Sequence, residues 1–134
     1  MQINISTSKN NQLVNITQNV QEAITKSGVS DGICFVHIAH TTAGITINEN
    51  ADPDVVRDIL LSLDDIVKNL SGFRHFEGNS TAHVKSSLMG NSVSIPIQNG
   101  KLQLGTWQGI YFCEFDGPRN RKAWVNCVEG LNIQ

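Results

Sequence analysis

The chain has 134 residues, a length that suits one compact domain spanning residues 1–134. Apolar residues make up 40% and charged residues 16%, so the chain can build a hydrophobic core. A net charge of −2 argues against a general nucleic-acid surface, which usually carries a basic excess. No apolar run approaches the ~20 residues that span a bilayer, and the N-terminus does not resemble a signal peptide. We therefore expect a cytoplasmic protein with no nucleic-acid or membrane partner.

Strand and helix signals alternate in the first half of the chain. Thr17 is expected to cap a helix that ends before Gly28, because the apolar residues between them share one helical face. The apolar run "ICFV" predicts a strand, and the next strand lies close enough along the chain to pair with it. The strands predicted in this half are residues 3–7, 12–17, 31–39 and 44–48.

Residues 51–70 form the clearest predicted helix. Apolar residues recur there every three or four positions, which gives one continuous apolar stripe. Asp52 before Pro53 is typical of a helix start, with an N-cap followed by proline at the first helical position. Residues 71–87 are polar and weakly periodic, so we expect a loop that enters a short helix near Ala82.

The last third of the chain is predicted to be β. Asn99-Gly100 is a strong hairpin signal, because both residues suit the positive φ angles of a type I′ turn. The element order lacks regular β–α–β alternation and therefore indicates an α+β fold. We expect a mostly antiparallel sheet or sandwich of about seven or eight strands with two main helices. The strands predicted here are residues 92–98, 101–107, 108–115 and 121–130.

Histidines are the first candidates for chemistry. Residues three apart on a strand face opposite sides, so His37 and His40 cannot both point into one site. His40 ends its strand, and the small residues from Thr41 to Gly44 are expected to form a turn that leaves room for a ligand. His40 is therefore the better candidate of the two.

A metal site is one hypothesis for the remaining histidines. His75 and His83 lie eight residues apart in the polar segment, and with His40 they would give three imidazoles from separate segments. Three such ligands with one open position are typical of a catalytic zinc site. The alternative is that the histidines are unrelated, each satisfied by hydrogen bonds or solvent.

Polar residues at other strand ends are further candidates. Asn48 is a candidate to bind substrate, and Glu49 is a candidate general base or partner of a histidine. Both end the strand that is expected to pair with the preceding one. Arg119 and Arg121 lie two apart at a strand start, so both can face one way and bind phosphate or carboxylate. The alternative for the arginines is a solvated turn, with Glu114 as an ion-pair partner for either.

The segment "LGTWQG" departs from an ordinary strand. Gly105 and Gly109 bracket Trp107 and Gln108, and glycines there allow a bulge or a close approach to a site. A bulge that buries Trp107 in the core is the alternative.

Four segments together resemble the YjbQ family, also called UPF0047. The run "SVSIPIQNGKLQLGTWQGI" (92–110) is similar to the family signature, and three other blocks stand in the family's order. These blocks are "HTTAGITINENADPDVVRD" (40–58), "RHF…NSTAHVKSSLMG" (74–90) and "DGPRNRK" (116–122). The resemblance covers nearly the whole chain.

The resemblance implies a small α+β protein that assembles as a homotrimer, with a polar, histidine-lined pocket near subunit boundaries. It places the family's histidines at His40, His75 and His83, whereas Phe73 stands where the family usually has tyrosine. The family is associated with a weak thiamine-phosphate synthase activity, which joins an aminopyrimidine diphosphate to a thiazole phosphate. Departure of a diphosphate usually uses Mg²⁺ on carboxylates, whereas three imidazoles suit zinc. We therefore expect the native reaction to be a different one.

Two hypotheses follow for function. In the first, the protein is an enzyme that acts on a phosphorylated metabolite with a zinc-like divalent metal on its three histidines. The catalytic candidates are then His40, Glu49 and Gln108, and the candidates for substrate binding are Thr41, Asn48, Arg119 and Arg121. In the second, a trimeric module binds a metal or a small anionic metabolite without catalysis, because no complete motif such as HExxH is present.

Overall fold

Residues 1–131 are described by a computed structural model, and they form eight strands and three helices. The strands are β1 (Gln2–Ser6), β2 (Gln12–Asn15), β3 (Gly32–His37), β4 (Ala43–Glu49), β5 (Ser92–Gln98), β6 (Lys101–Leu102), β7 (Gln108–Glu114) and β8 (Asn120–Glu129). The helices are α1 (Thr17–Ser27), α2 (Pro53–Ile66) and α3 (Ser80–Met89). Within this part of the chain, no helix is both long and apolar enough to cross a membrane.

The strands form two antiparallel sheets. One sheet has five strands in the order β1-β8-β3-β5-β6, and the other has three in the order β2-β7-β4. This arrangement confirms the predicted α+β class and the predicted number of strands. The helix predicted near Ala82 is α3, which has 10 residues and is longer than expected.

The main core lies between the two sheets and α1. Along β8 and β3, side chains alternate between buried and exposed, as expected for strands with one face on a core. Phe112 of the three-stranded sheet is fully buried against inward-facing residues of the five-stranded sheet, including Val36 and Val125. Burial of these apolar surfaces is the main source of stability.

Two local signals form the structures predicted for them. The Oδ1 of Asp52 accepts a 2.9 Å hydrogen bond from the backbone N–H of Asp54, so Asp52 caps α2 with Pro53 in the first turn. Asn99 and Gly100 have φ angles of 52° and 73°, and they connect β5 to β6 in a two-residue turn. Positive φ at both positions is what a type I′ turn requires.

The start of α1 differs from the prediction. Thr17 lies inside the helix, and its backbone N–H donates to Oδ1 of Asn15 over 3.0 Å. The Oγ1 of Thr17 instead accepts from the backbone N–H of Ile110 over 2.8 Å. The threonine hydroxyl therefore ties α1 to β7 rather than capping the helix.

The prediction that β3 and β4 pair is wrong. β4 pairs with β7 along its whole length, and β3 lies between β8 and β5 in the other sheet. Both edges of β3 are therefore occupied. Residues 38–42 cross from one sheet to the other, so that consecutive strands separate instead of forming a hairpin.

The small residues after this crossing do not form an open turn. Ala43 and Gly44 belong to β4, and the end of α3 packs against them. Ser86 donates to the Ala43 carbonyl over 2.7 Å, and the N–H of Ile45 donates to the Gly90 carbonyl over 3.0 Å. A Cβ on Gly44 would lie 2.6 Å from the Gly90 carbonyl oxygen. The missing side chain therefore gives room to α3, not to a ligand.

Gly44→Ala is expected to lower the free energy of unfolding by about 1–3 kcal/mol, because backbone must move to admit the methyl group. Urea denaturation measures this loss. Gly72→Ala is the matched control, since a Cβ there meets nothing within 4 Å. Equal stability of the two variants would contradict the proposed contact.

Candidate functional site

A buried ion pair joins the two sheets beside the 38–42 crossing. Glu114 ends β7 in one sheet and Arg121 lies in β8 of the other, and their residues are 0% and 3% exposed. The Arg121 Nε donates to Glu114 Oε1 over 2.9 Å, and Nη2 donates to the second carboxylate oxygen. Thr7 Oγ1 and the Asp116 N–H donate to the same carboxylate over 2.8 and 3.0 Å. Every charge in this buried pair is therefore compensated.

The same pair holds the crossing segment. Arg121 Nη2 also donates to the carbonyl oxygen and to Oγ1 of Thr42, over 3.2 and 2.8 Å. Thr42 is itself buried. The arginine that was predicted to receive an anion thus has Nε and Nη2 committed within the protein, and its first role in the structure is to position residues 38–42.

Two adjoining cavities open beside this segment. The first, which we call the arginine cavity, has a volume of about 460 Å³ and is lined by residues 37–42, Asn91, Arg119 and Arg121. The second, which we call the serine cavity, has a volume of about 500 Å³ and is lined by His40, Thr41, His83, Ser86, Ser87 and residues 90–91. His40, Thr41 and Asn91 line both cavities and form their shared wall. Each volume is in the range of small-molecule sites.

His40 is held in one tautomer by the backbone of β8. Its Nε2 accepts a 3.1 Å hydrogen bond from the backbone N–H of Lys122, so in the neutral ring Nδ1 carries the proton. Burial lowers the pKa of His40, and the neighbouring Arg121 guanidinium lowers it further. The ring packs edge-on against Phe112, with centroids 6.5 Å apart. His40 is thus a neutral imidazole with one N–H left to donate.

Arg119 presents part of its guanidinium to the arginine cavity. Its Nε donates to the Asp116 carbonyl over 2.9 Å, and Nη2 donates to the Asp116 carboxylate over 3.0 Å. Asn79 holds that carboxylate with a further 2.9 Å hydrogen bond. The Arg119 side chain is 49% exposed, and its Nη1 donates to no acceptor within residues 1–131. Arg119 therefore retains free donors, although Asp116 balances its charge.

The serine cavity is built on one face of α3. His83, Ser86 and Ser87 are spaced three and four residues apart, which places them on one side of a helix. This spacing is visible in the sequence, but neither serine nor Asn91 was among the predicted site residues. A helix was predicted near Ala82, but the weak apolar periodicity of residues 71–87 did not show which of its faces is buried and which lines a cavity.

Three predicted site residues lie elsewhere. Asn48 and Glu49 are at the far end of β4, five and six residues from Ala43, which is roughly 17–20 Å along a strand. Gln108 is directly opposite Glu49 in the β4–β7 ladder, and its side chain accepts from the Gly105 N–H over 2.8 Å. The structure therefore brings Glu49 and Gln108 together, away from both cavities. Trp107 beside them is 64% exposed and is not part of the core.

The histidines do not fit a shared metal site as they are arranged. Within the described residues, no three His, Cys, Asp or Glu side chains are grouped to hold a metal ion. His75 and His83 are close, with ring centroids 5.3 Å apart, but His75 lines neither cavity. The Nε2 lone pair of His40 is occupied by the Lys122 N–H, and its Nδ1 carries a proton. The three-histidine site therefore stays a prediction.

Comparison with known proteins identifies the family. The family model described as "UPF0047 protein YjbQ-like" matches residues 1–130. The chain belongs to the YjbQ family. A UPF0047 protein of Methanocaldococcus jannaschii is 53% identical over 92% of this chain and 90% of its own length. The UPF0047 protein YugU of Bacillus subtilis is 48% identical over 94% of this chain and 96% of its own length.

Solved structures of YjbQ-family proteins share the fold. A crystal structure of a family member from Clostridium acetobutylicum has a TM-score of 0.93 and 57% identity, covering 96% of this chain and 99% of that one. A YbjQ-like protein of unknown function from Sulfolobus solfataricus has a TM-score of 0.91 and 34% identity, covering 97% and 96%. These relatives establish family and fold, and they leave the chemistry of the cavities to be argued from the residues.

The buried pair makes the stability of this YjbQ-family protein depend on pH. Burial alone would raise the pKa of Glu114, but hydrogen bonds from Arg121, Asp116 and Thr7 outweigh it and lower the pKa below its ordinary value. A carboxylate with a lowered folded-state pKa stabilises the fold above its unfolded pKa, about 4.3. That stabilisation is lost as the pH falls through the folded-state pKa.

Glu114→Gln is therefore expected to lower the free energy of unfolding by about 3–5 kcal/mol at pH 7, because the Arg121 charge is left buried and unpaired. The difference from the unmodified protein should begin to shrink as the pH falls below the unfolded pKa of about 4.3. It should disappear only below the lowered folded-state pKa, where Glu114 is protonated and as neutral as glutamine. Urea denaturation across this pH range measures it, with the exposed Glu129→Gln as control. A loss that is the same at every pH would argue against an ionised Glu114.

Metal removal tests the three-histidine prediction. We expect dialysis against a chelator to leave the affinity for inorganic phosphate unchanged, because His40 Nε2 already accepts from a backbone N–H. Isothermal titration before and after dialysis, with metal analysis of untagged protein, measures this. Loss of phosphate binding that zinc restores would establish a metal role, and His75→Ala should then abolish the restoration.

Proposed function

We propose that this YjbQ-family protein is an enzyme that acts on a small phosphorylated metabolite bound in the two adjoining cavities. The observation that carries the proposal is the position of His40 in their shared wall, with its tautomer set by the Lys122 N–H. Metabolites of this class occur in the cytoplasm, where the protein is predicted to be located.

His40 is suited to stabilise negative charge on a ligand oxygen. A neutral imidazole whose pKa is lowered can donate a hydrogen bond without carrying a positive charge, and this polarises an oxygen in several enzymes. The Nδ1–H of His40 is such a donor, and its ring is partly buried, where electrostatic interactions are stronger than in water. The proposed role of His40 is therefore to stabilise charge that develops on a bound oxygen during the reaction.

Hydrogen-bond donors in the arginine cavity support binding of the phosphate there. Arg119 has free Nη1 donors, and the backbone N–H groups of Ala39 and Thr41 donate to no acceptor within residues 1–131. Carboxylates pair with both arginines, so the cavity offers directed N–H groups rather than a large net charge. Phosphate oxygens are strong acceptors that suit such donors.

A non-catalytic module that binds the same anion is the alternative, since every contact above also serves binding alone. The resemblance implies that it is trimeric, and the outer face of the five-stranded sheet supports self-association. Ile33, Phe35, Trp124 and Val128 are all more than two-fifths exposed on neighbouring positions of β3 and β8. An exposed apolar patch of this kind is typical of a protein interface.

Thiamine-phosphate synthase-like transfer is a narrower form of the enzyme proposal. It would release diphosphate, which usually leaves with Mg²⁺ held by carboxylates. The two carboxylates that contact the arginines of this cavity, Asp116 and Glu114, are already paired with them. These residues therefore favour another reaction of a phosphorylated substrate, with the synthase activity as a side reaction.

Thermal-shift screening against phosphorylated metabolites, followed by turnover assays of each stabilising compound, tests the proposal. His40→Ala is expected to lower kcat/KM at least about 100-fold, the usual effect of losing a donor to a developing oxyanion. His75→Ala is the comparison variant, because His75 lines neither cavity, and it should retain most activity. A compound that stabilises the protein but is never turned over would favour the binding module instead.

A further inference from the structure

The two cavities differ in the hydrogen-bonding groups that they offer. The arginine cavity offers N–H donors from Arg119 and from the backbone of Ala39 and Thr41, as described above. A fully ionised phosphate has acceptors and no donors, so it is matched to this cavity. The two serines that line the serine cavity offer the opposite kind of group.

Both serines in the lining of this cavity have committed their hydroxyl protons. Ser86 Oγ donates to the Ala43 carbonyl over 2.7 Å, and Ser87 Oγ donates to the His83 carbonyl over 2.9 Å. Each serine oxygen can therefore accept a further hydrogen bond but cannot donate one, because a hydroxyl has one proton and two acceptor sites. The serine oxygens are therefore matched to ligand groups that donate. The side-chain amide of Asn91 in the same lining has N–H groups to donate, so a ligand group that both donates and accepts suits this cavity.

The donor that fits the serine cavity is neutral. No Asp or Glu is among the residues that line it, so a ligand ammonium group would meet no counter-charge there. An alcohol hydroxyl donates one hydrogen bond without that cost of desolvating a charge. Polyol hydroxyls thus suit this cavity better than amines do.

One ligand can reach both cavities because they share His40, Thr41 and Asn91. We infer that the substrate is a phosphate monoester of a polyhydroxylated compound, with its phosphate in the arginine cavity and its hydroxyl groups against Ser86 and Ser87. The inference rests on the proposed function and names the class of substrate. In this arrangement His40 lies beside the junction between the phosphate and the hydroxylated part of the ligand, because it lines both cavities.

The test is isothermal titration with matched ligand pairs. Glycerol 3-phosphate is compared with n-propyl phosphate, and ribose 5-phosphate with n-pentyl phosphate, so that the members of each pair share carbon count and phosphate. At least one hydroxylated member is expected to bind about tenfold more tightly than its alkyl partner, since each satisfied hydrogen bond contributes a few-fold. Inorganic phosphate is titrated alongside as the minimal anion.

Two variants assign the halves of the ligand to the cavities. Ser87→Ala is expected to reduce the preference for the hydroxylated partner about threefold or more, with little effect on inorganic phosphate. Arg119→Ala should weaken every phosphate ligand by a similar factor and leave the preference unchanged. Ser62→Ala, an exposed helical serine outside both cavities, is the matched control and should change neither quantity.

Failure of the polyol inference and failure of the proposed function would give different binding results. If phosphate and the alkyl phosphates bind as tightly as their hydroxylated partners, the polyol inference is overturned while the phosphorylated-ligand proposal stands. If none of the five ligands binds, both fail. A preference that Ser87→Ala leaves intact would overturn the assignment of the hydroxyl groups to the serine cavity.

Discussion

The ion pair between Glu114 and Arg121 is the constraint on which the site depends. Two sheets that share a core can slide against each other unless a directional contact sets their register, and hydrophobic burial is not directional. A bidentate arginine–carboxylate pair is directional, and its cost of desolvation is recovered only with good geometry. The extra donors from Thr7 and Asp116 complete that geometry around the carboxylate. The ion pair therefore ties the two sheets together beside the cavities, in addition to the core that they share.

The same strand that supplies Arg121 also orients His40. Pairing of β3 with β8 ends at His37 and Trp124, so the N–H of Lys122 lies beyond the last paired residues. The imidazole of His40 accepts from that N–H and takes the place of the next backbone acceptor. Because Arg121 and Lys122 are adjacent in β8, the ion pair and the imidazole are fixed by consecutive residues. A ring oriented by backbone is less free to turn toward a metal than one held by solvent alone.

Local features of this fold could be predicted from the sequence, whereas pairings across the chain could not. Asp52-Pro53 and Asn99-Gly100 act through their own backbone, and both formed as expected. Strand parity applies only within the strand: His37 is exposed opposite to buried Val36, but β3 ends at His37. The prediction that His37 and His40 cannot share a site is therefore wrong, because both line the arginine cavity. The partner of β4 is different, because residues 38–42 are long enough to change sheets and nothing in their composition specifies which edge the next strand meets.

The pairing of β4 with β7 determines where several of the predicted site residues lie. With β4 on β7, the far ends of both strands bring Glu49 beside Gln108 and away from His40. Arg119 and Arg121 share a spacing that predicts equal roles, yet one side chain is half-exposed and the other is buried. The difference arises from the carboxylate that each meets: Asp116 lies in the turn at the surface, and Glu114 lies between the sheets. The spacing of two residues along a strand predicts whether their side chains lie on the same face of the sheet. Only the fold determines how deeply each side chain is buried.

Membership of the YjbQ family indicates which histidines to consider, but it does not say which reaction they serve. The histidine cluster is the feature that the sequence makes prominent, since three imidazoles suggest a metal before any geometry is known. In the fold, the hydrogen bonds already made by each group are more informative than residue types. A histidine with an occupied Nε2 and two serines with committed protons are each limited to one further kind of contact. The N–H donors on one side of His40 and the serine oxygens on the other restrict the class of ligand more than a cluster of imidazoles does. These groups lie beside the segment that the ion pair holds in place.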